Sequence, residues 1–455
     1  MTKNARKGLF YGLSLLFLLL GSATVFYAQG WRFDFETFNM KKVGAIYVRS
    51  FPVNASISLN GKPIKNKNGL LDAGTFIGNL FPKNYKLVLK ADGYRDWQEH
   101  IAIRPSLVSE IKYGVLVPKV PEPVEQKPVK QFWITNQGPI IKNEDNGLTL
   151  GDKKLAGDSV VDWTNDSRKI LTQTESGKNY FLNDMSKGTT AIISLNPIIK
   201  NLGLNILTFK KISFDSDDGQ KILAVAKNSI IRIDVNNPDY SVLYKNPDFS
   251  PIEFSTSRSW LISSSVDEPS HSALIRFYNR LSGEATTHQL PGSTRSTNSG
   301  QASSPQAGAT KKIVITNDSL AGILQNDGEL YLGHPYQNGI DKLASDVRDF
   351  QFSADGDFVA ALEHKSLEVF SLKNKEDYWR FNLPNIENVA SLEWYRDDNH
   401  LFIQYPNAVS FLDLNDRSLE NFPTVAESSA TDYNPATNKF YFMKDGGLWS
   451  LLFPL

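Results

Sequence analysis

Apolar and polar positions alternate in short runs through most of this chain, and the clearest run is Val347–Leu372. Val347–Ser353 puts Phe350 and Phe352 on one face, the period of a half-buried strand. Ala354-Asp355-Gly356-Asp357 follows as a turn, where Asp holds the backbone through its side chain and Gly supplies the left-handed residue. Phe358–Leu362 is an unbroken apolar run, which predicts a strand covered on both faces. Glu363–Ser366 turns again, Leu367–Leu372 makes a third strand, and Asp377–Leu383, with Tyr378, Trp379 and Phe381, makes a fourth, outer one.

The turn gives a countable mark: a large apolar residue, two positions, then Asp or a relative. It recurs at Trp133, Trp163, Phe214, Phe254, Ile315, Phe352, Trp394 and Tyr433, in steps of 30, 51, 40, 61, 37, 42 and 39 residues. The 61-residue step contains Pro291–Thr310, all Ser, Gly, Thr, Pro, Gln, Asn, Ala and one Arg, which reads as a disordered insertion at 291–310. Repeats of about 40 residues with three or four strands each predict a β-propeller over 131–455. Eight blades fit best, and seven stay open if the first repeat only completes a neighbour's sheet. Phe352-Ser353-Ala354-Asp355-Gly356 resembles the WD-like repeats of TolB-type propellers. The last repeat reaches the chain end after three strands, Ala430–Tyr433, Lys439–Met443 and Leu448–Phe453. An open edge is an aggregation hazard that propellers avoid by closing the ring. Glu125–Phe132 is therefore expected to pair with the Leu448–Phe453 strand.

The N-terminus has a different pattern. Lys3, Arg6 and Lys7 precede Gly8–Ala28, about 21 residues without a charge. At ~1.5 Å per residue this run crosses a bilayer core of ~30 Å. Residues 1–30 are read as a cytoplasmic stub and a single-pass anchor through residues 8–28, and everything after about residue 30 as extracytoplasmic. A cleaved signal peptide, with Leu9–Leu20 as its apolar region and Gly21-Ser22-Ala23 as its processing site, is the competing reading. Residues 31–43 form an aromatic, charged connector.

From Gly44 the period-2 alternation begins. Ala45–Ser50, Ala55–Leu59, Thr75–Leu80, Tyr85–Lys90, His100–Arg104 and Val108–Val117 are expected strands, and Asn60-Gly61 is a two-residue hairpin turn. Residues 44–117 thus predict a small β-sandwich. Pro52, Ala55, Leu80, Pro82, Tyr85, Gly93 and Tyr94 resemble the motif positions of the PEGA domain, with Val53 and Asn54 departing from its Glu and Gly. That resemblance implies an extracytoplasmic envelope module without catalytic residues. The anchor, PEGA-like module and propeller together resemble a class of bacterial membrane-anchored proteins. Residues 118–130, with four prolines, read as an extended spacer.

Composition narrows the chemistry. Without a cysteine, disulfides and thiolate metal sites are excluded. Equal numbers of acidic and basic residues hide an asymmetry: residues 44–117 carry ten Lys/Arg against five Asp/Glu, and 131–455 carry 30 against 40. Such a pair could lie near an anionic membrane or wall polymer, or simply be solvated. No basic run or basic–aromatic stripe points to nucleic acid. The six histidines, His100, His271, His288, His334, His364 and His400, are scattered, which predicts loop or surface positions. Asp215–Gly219 opens like a calcium loop, but Ala226 stands where the bidentate Glu belongs, so it reads as a blade turn. Asp397-Asp398 and Glu376-Asp377 read as solvated turns. No catalytic, cofactor-binding or metal-binding residue is assigned, and no cofactor is implied. The expected function is a non-catalytic, membrane-tethered interaction protein of the cell envelope, its propeller binding an envelope protein or cell-wall polymer. A propeller enzyme acting on an envelope glycan, and a structural envelope or surface-layer component, are the alternatives.

Overall fold

The computed structural model describes residues 3–454 except 68–73, 175, 207–208, 216–217, 227, 246–252, 258, 268–271, 291–308, 317–318, 337–338, 375–376 and 417. The protein is mostly β, with 55% of the described residues in strands and 9% in helices. Its long helix, α1 (Lys3–Ala28), contains a 23-residue stretch, Arg6–Ala28, long and apolar enough to cross a membrane. Ser22 and Thr24 donate their hydroxyls to the Leu18 and Leu20 carbonyls at 2.7 and 2.8 Å. These two hydroxyls are thus satisfied within the helix itself.

The chain forms two compact units. One comprises Met1–Pro121 with Phe411–Val425 and Leu451–Leu455; the other comprises Glu122–Ser410 with Ala426–Ser450. The first opens on a feature the connector reading lacks: β1 (Trp31–Asp34) and β2 (Asn39–Lys42) pair as a hairpin. Then come β3 (Gly44–Phe51), β4 (Ser56–Leu59), β5 (Lys62–Ile64), β6 (Thr75–Leu80), β7 (Asn84–Lys90), β8 (Trp97–Ala102) and β9 (Val108–Val115). They form two sheets, in the orders β6-β3-β9 and β5-β4-β7-β8, packed over Ile46, Val48, Ile57, Leu87, Leu89 and Trp97. Asn60 and Gly61 both take positive φ, 49° and 76°, as the tight hairpin requires. The strand expected at His100–Arg104 lies earlier, at Trp97–Ala102, because Trp97 is its inward anchor at 4% exposure.

Among the described residues eight four-stranded sheets follow, and they are the blades of the propeller. All eight marked residues, Trp133 to Tyr433, fall in the first strand of a sheet. The first repeat has four strands of its own, β11 (Val129–Thr135), Gly138–Asn143, Leu148–Leu150 and Lys153–Leu155, so it does not merely complete a neighbour. In the central repeat the strands are Val347–Phe352, Phe358–Glu363, Leu367–Ser371 and Tyr378–Phe381, with Val359–Leu362 buried throughout. The 51-residue step is lengthened by a helix not expected from the sequence, α2 (Leu195–Asn201), whose Leu195 and Ile199 pack on Leu171, Leu182 and Ile212. Of the insertion at 291–310, residues 291–308 lie outside the described residues, and Thr310 already opens the strand Thr310–Ile315.

The last sheet closes across the chain. Its outer strand is β10 (Glu122–Glu125), lying inside the Pro-rich stretch, with Glu122 opposite Ser450, Pro123 opposite Trp449 and Glu125 opposite Leu448. The partner of the C-terminal strand is therefore residues 122–125 and not 125–132. The reason is burial: Val129, Phe132 and Ile134 belong to a core with Tyr441 and Leu448, whereas Glu122–Glu125 is largely exposed and suits an outer edge. Gly447 permits the contact, since a Cβ there would sit 2.7 Å from the Glu125 carbonyl oxygen.

Candidate binding site between the first, seventh and eighth blades

Neighbouring blades meet through their first strands, as Ser159–Trp163 does with Phe209–Asp215 and β11 with Thr431–Asn434. Three acids placed one residue before a marked aromatic hold these strands together. Asp162 accepts the Trp163 amide at 2.8 Å and, across the blade boundary, the Phe214 amide at 2.7 Å. Asp432 repeats this at the ring closure: it accepts the Tyr433 amide at 2.9 Å and the Ile134 amide at 3.2 Å. Asn434 adds a 2.8 Å bond from its Nδ2 to the Thr135 carbonyl. Glu393, before Trp394, lies close enough to the Tyr433 amide of the next blade for that amide to favour its charge. The sequence signal was there, in Asp162-Trp163, Glu393-Trp394 and Asp432-Tyr433, but a strand pattern reads each acid only as a polar position.

Glu393 and Asp432 also line a cavity of about 380 Å³ between the first strands of the first, seventh and eighth blades, with Lys130, Gln131, Ser391 and Thr431 at its polar positions and Phe132 among its apolar ones. That volume is in the usual range for small-ligand sites, ~300–1,000 Å³. Burial, and then the neighbouring Asp432 carboxylate, push Glu393 well above the usual carboxylate range. Burial raises Asp432 to about 6 against the two amides that favour its charge. Two such acids side by side do not both ionise readily near neutrality. The cavity therefore presents hydrogen-bonding groups around a pair of acids that already hold the ring together.

The residues weighed from sequence are distributed as follows. His100, His334 and His364 are at exposed or partly exposed positions, and His271 lies outside the described residues. His400 does not fit the surface expectation: it is 1% exposed, its Nδ1 lies 2.8 Å from Asp397 Oδ2, and its ring packs edge-on against Tyr395. Its position opens the strand His400–Gln404, which is buried along its length but for Gln404. Asp397-Asp398 does sit at a turn, but Asp398 is not simply solvated. It accepts the Ala354 amide of the preceding blade at 3.1 Å, and burial, then Asp355, raise it to about 7. Ser216 and Asp217 of the calcium-like stretch, and Glu376, lie outside the described residues. Asp215 is fully buried and paired with Arg232 and Arg280, so its carboxylate is engaged by guanidinium groups.

No protein-family model and no curated protein sequence matches the chain. Solved structures align with much of it at low identity. An oligogalacturonate lyase in complex with manganese is 10% identical with a TM-score of 0.45, covering 74% of this chain and 99% of that one. The oligogalacturonate lyase of Vibrio parahaemolyticus is 9% identical with a TM-score of 0.45, covering 72% and 98%. The Cps50 (Swd1) β-propeller domain of Myceliophteria thermophila is 12% identical with a TM-score of 0.39, covering 62% and 96%. By its own succession of four-stranded sheets, the chain is a β-propeller protein with an N-terminal apolar helix.

Proposed function

We propose that this protein is a membrane-anchored, non-catalytic binding protein of the cell envelope, whose propeller captures an envelope protein or wall polymer at the cavity between its first, seventh and eighth blades. The N-terminus is cytoplasmic and the β units are extracytoplasmic. The observation that carries the reading is α1: none of its apolar stretch is buried within the protein, so that surface requires a nonpolar solvent. Lys3, Arg6 and Lys7 before it, against Asp34 and Glu36 after it, favour the N-inside orientation. The motif residues of the small sandwich, Pro52, Ala55, Gly93 and Tyr94 among them, favour a PEGA-like module.

The test is site-specific photo-crosslinking of the full chain in its native membrane. Probes at Gln131 and Ser391, exposed beside the cavity, are compared with probes at Tyr240 and Val242, exposed on an outer strand of the third blade. One envelope partner captured only from the cavity positions supports the reading. Identical products from both pairs, or none, overturn it. The raised carboxylates Glu393 and Asp432 favour a second reading, a hydrolase or lyase of an envelope glycan. Release of soluble saccharide from wall glycan by the purified full chain, abolished in Glu393→Gln, would establish that reading instead.

A further inference from the structure

The hairpin that follows α1 carries an apolar surface that stays exposed among the described residues. Phe35 and Phe38 are each 78% exposed, and Phe33 and Met40 are 42% and 47% exposed. The three rings form one patch, with Phe33 edge-on to Phe35 at 4.9 Å and to Phe38 at 6.3 Å. Aromatic side chains of this size normally bury their surface, so a fixed cluster facing outward marks an interaction surface.

The cluster is held rigidly. Asp34 lies under the turn, buried, and accepts the Glu36 amide at 2.9 Å, the Thr37 hydroxyl at 2.8 Å and the Lys41 ammonium at 2.8 Å. Hydrogen bonds from Lys41 and Thr37 hold its carboxyl down at about 2, so the turn keeps its charge and shape across the physiological range. Phe33 stands opposite Met40 in the hairpin register, which puts both on the same face.

The hairpin is also tied to the end of the helix. The Val43 amide donates to the Gly30 carbonyl at 2.9 Å, and Gly30 to Tyr27 at 3.1 Å. Arg32 donates to the Tyr27 carbonyl at 2.7 Å and stacks on its ring at 3.5 Å, and Trp31 meets Phe26 at 6.4 Å. The patch therefore has a defined place relative to the last turn of α1. The 23 residues Arg6–Ala28 span ~35 Å, somewhat more than the ~30 Å hydrocarbon core. The end of the helix consequently emerges in the headgroup layer, and a hairpin starting three residues later lies in that layer too. Lys42, opposite Trp31 in the register, lies on the same hairpin face as Phe33 and Met40 and supplies positive charge suited to lipid phosphate.

We infer that the Phe33–Phe35–Phe38 hairpin inserts into the phospholipid interface of the same bilayer that α1 crosses, as a second contact that fixes the β units at the membrane surface. The inference rests on the anchor reading of α1 and adds a lipid-binding surface outside it. Continuity with the helix decides in favour of lipid over a protein partner.

The chain has no cysteine, so single-cysteine labelling is clean. Glu36→Cys places a fluorophore at the turn and keeps all three rings, Leu15→Cys labels the helix, and Tyr240→Cys labels the propeller. The full chain is reconstituted in phosphatidylcholine–phosphatidylglycerol vesicles carrying nitroxide lipids, at shallow or deep positions. Quenching of the Glu36→Cys label by shallow nitroxide at least about twofold above the Tyr240→Cys label is expected. Adding Phe35→Ser and Phe38→Ser should return it to the Tyr240→Cys level, with Leu15→Cys still quenched by deep nitroxide. A turn label no more quenched than Tyr240→Cys, with Leu15→Cys embedded, overturns the inference and leaves the anchor standing. A turn label shielded from both lipid and aqueous quenchers means that protein covers the patch, which also overturns it. If Leu15→Cys is not quenched either, the anchor reading fails and the inference falls with it.

Discussion

Closure of the ring can be locked covalently. Pro123 and Trp449 stand directly opposite each other where β10 pairs with the C-terminal strand. Opposed residues in an antiparallel pair have Cα atoms about 4.5–5.5 Å apart, within the range a disulfide spans. The double variant Pro123→Cys/Trp449→Cys, in a chain with no other cysteine, should therefore oxidise in native buffer without rearrangement. The cross-link closes a loop of about 330 residues, for which the chain-entropy estimate is ~6 kcal/mol, and engineered bonds commonly deliver ~2–4 kcal/mol of it. Some of that is offset by the lost Trp449 contacts, among them its Nε1 bond to the Lys444 carbonyl at 3.1 Å. The assay is guanidinium unfolding of the oxidised and reduced forms, followed by far-UV circular dichroism. The oxidised form should unfold at higher denaturant in a single transition. If the pair oxidises only after denaturation, or the oxidised form is no more stable than the reduced one, then β10 does not close the ring as described.

Three further outcomes are expected. Glu99 sits at about 8 against an ordinary 4.5, because burial and then Asp413, Asp416 and Glu420 disfavour its charge. The folded state thus holds this proton more tightly than the unfolded state, and the stability it contributes is full below about 4.5 and is lost as the pH rises through about 8. The shift corresponds to ~4–5 kcal/mol, reduced to ~1–2 kcal/mol by solvent at a partly exposed group, and Glu99→Gln should raise the urea midpoint at pH 8.5 but not at pH 4.5. A variant matching the wild type at both pH values would count against the burial described. Asp215→Asn removes the anion between Arg232 and Arg280 and should cost ~3–5 kcal/mol in urea unfolding, a loss below ~1 kcal/mol being contrary to a buried pair. Gly322→Ala would drive a Cβ into the Phe350 ring and should cost ~1–3 kcal/mol, read as a lower Tm, whereas an unchanged Tm would mean that the blade interface yields freely.

The repeats were legible because their evidence is local. An apolar run as short as Phe358–Leu362, bounded by turns, reads as a strand covered on both faces, and the Asp-Gly type of turn sets its limits, so eight first strands could be counted from Trp133 to Tyr433. Asn60-Gly61 fixed a hairpin for the same reason, since few dipeptides tolerate two left-handed residues. The uncharged run Gly8–Ala28 marked its helix by length alone.

What only the tertiary structure decided involves partners far apart in sequence. Glu122–Glu125 is an exposed edge strand with almost no apolar pattern, so nothing in it names the strand 320 residues later that it joins. Asp432 reads as one polar residue in a strand until the fold brings the Ile134 amide to it. His400 and Asp215 read as surface groups because polarity predicts exposure, and the fold instead buries each against a group of opposite or complementary character. The connector at 31–43 became a hairpin because Asp34 gathers Glu36, Thr37 and Lys41, contacts that no periodicity records. Hydrophobic patterning reports which face of a segment leaves water, whereas the pairing of edges and charges depends on which segments meet, and that is settled only when the chain has folded.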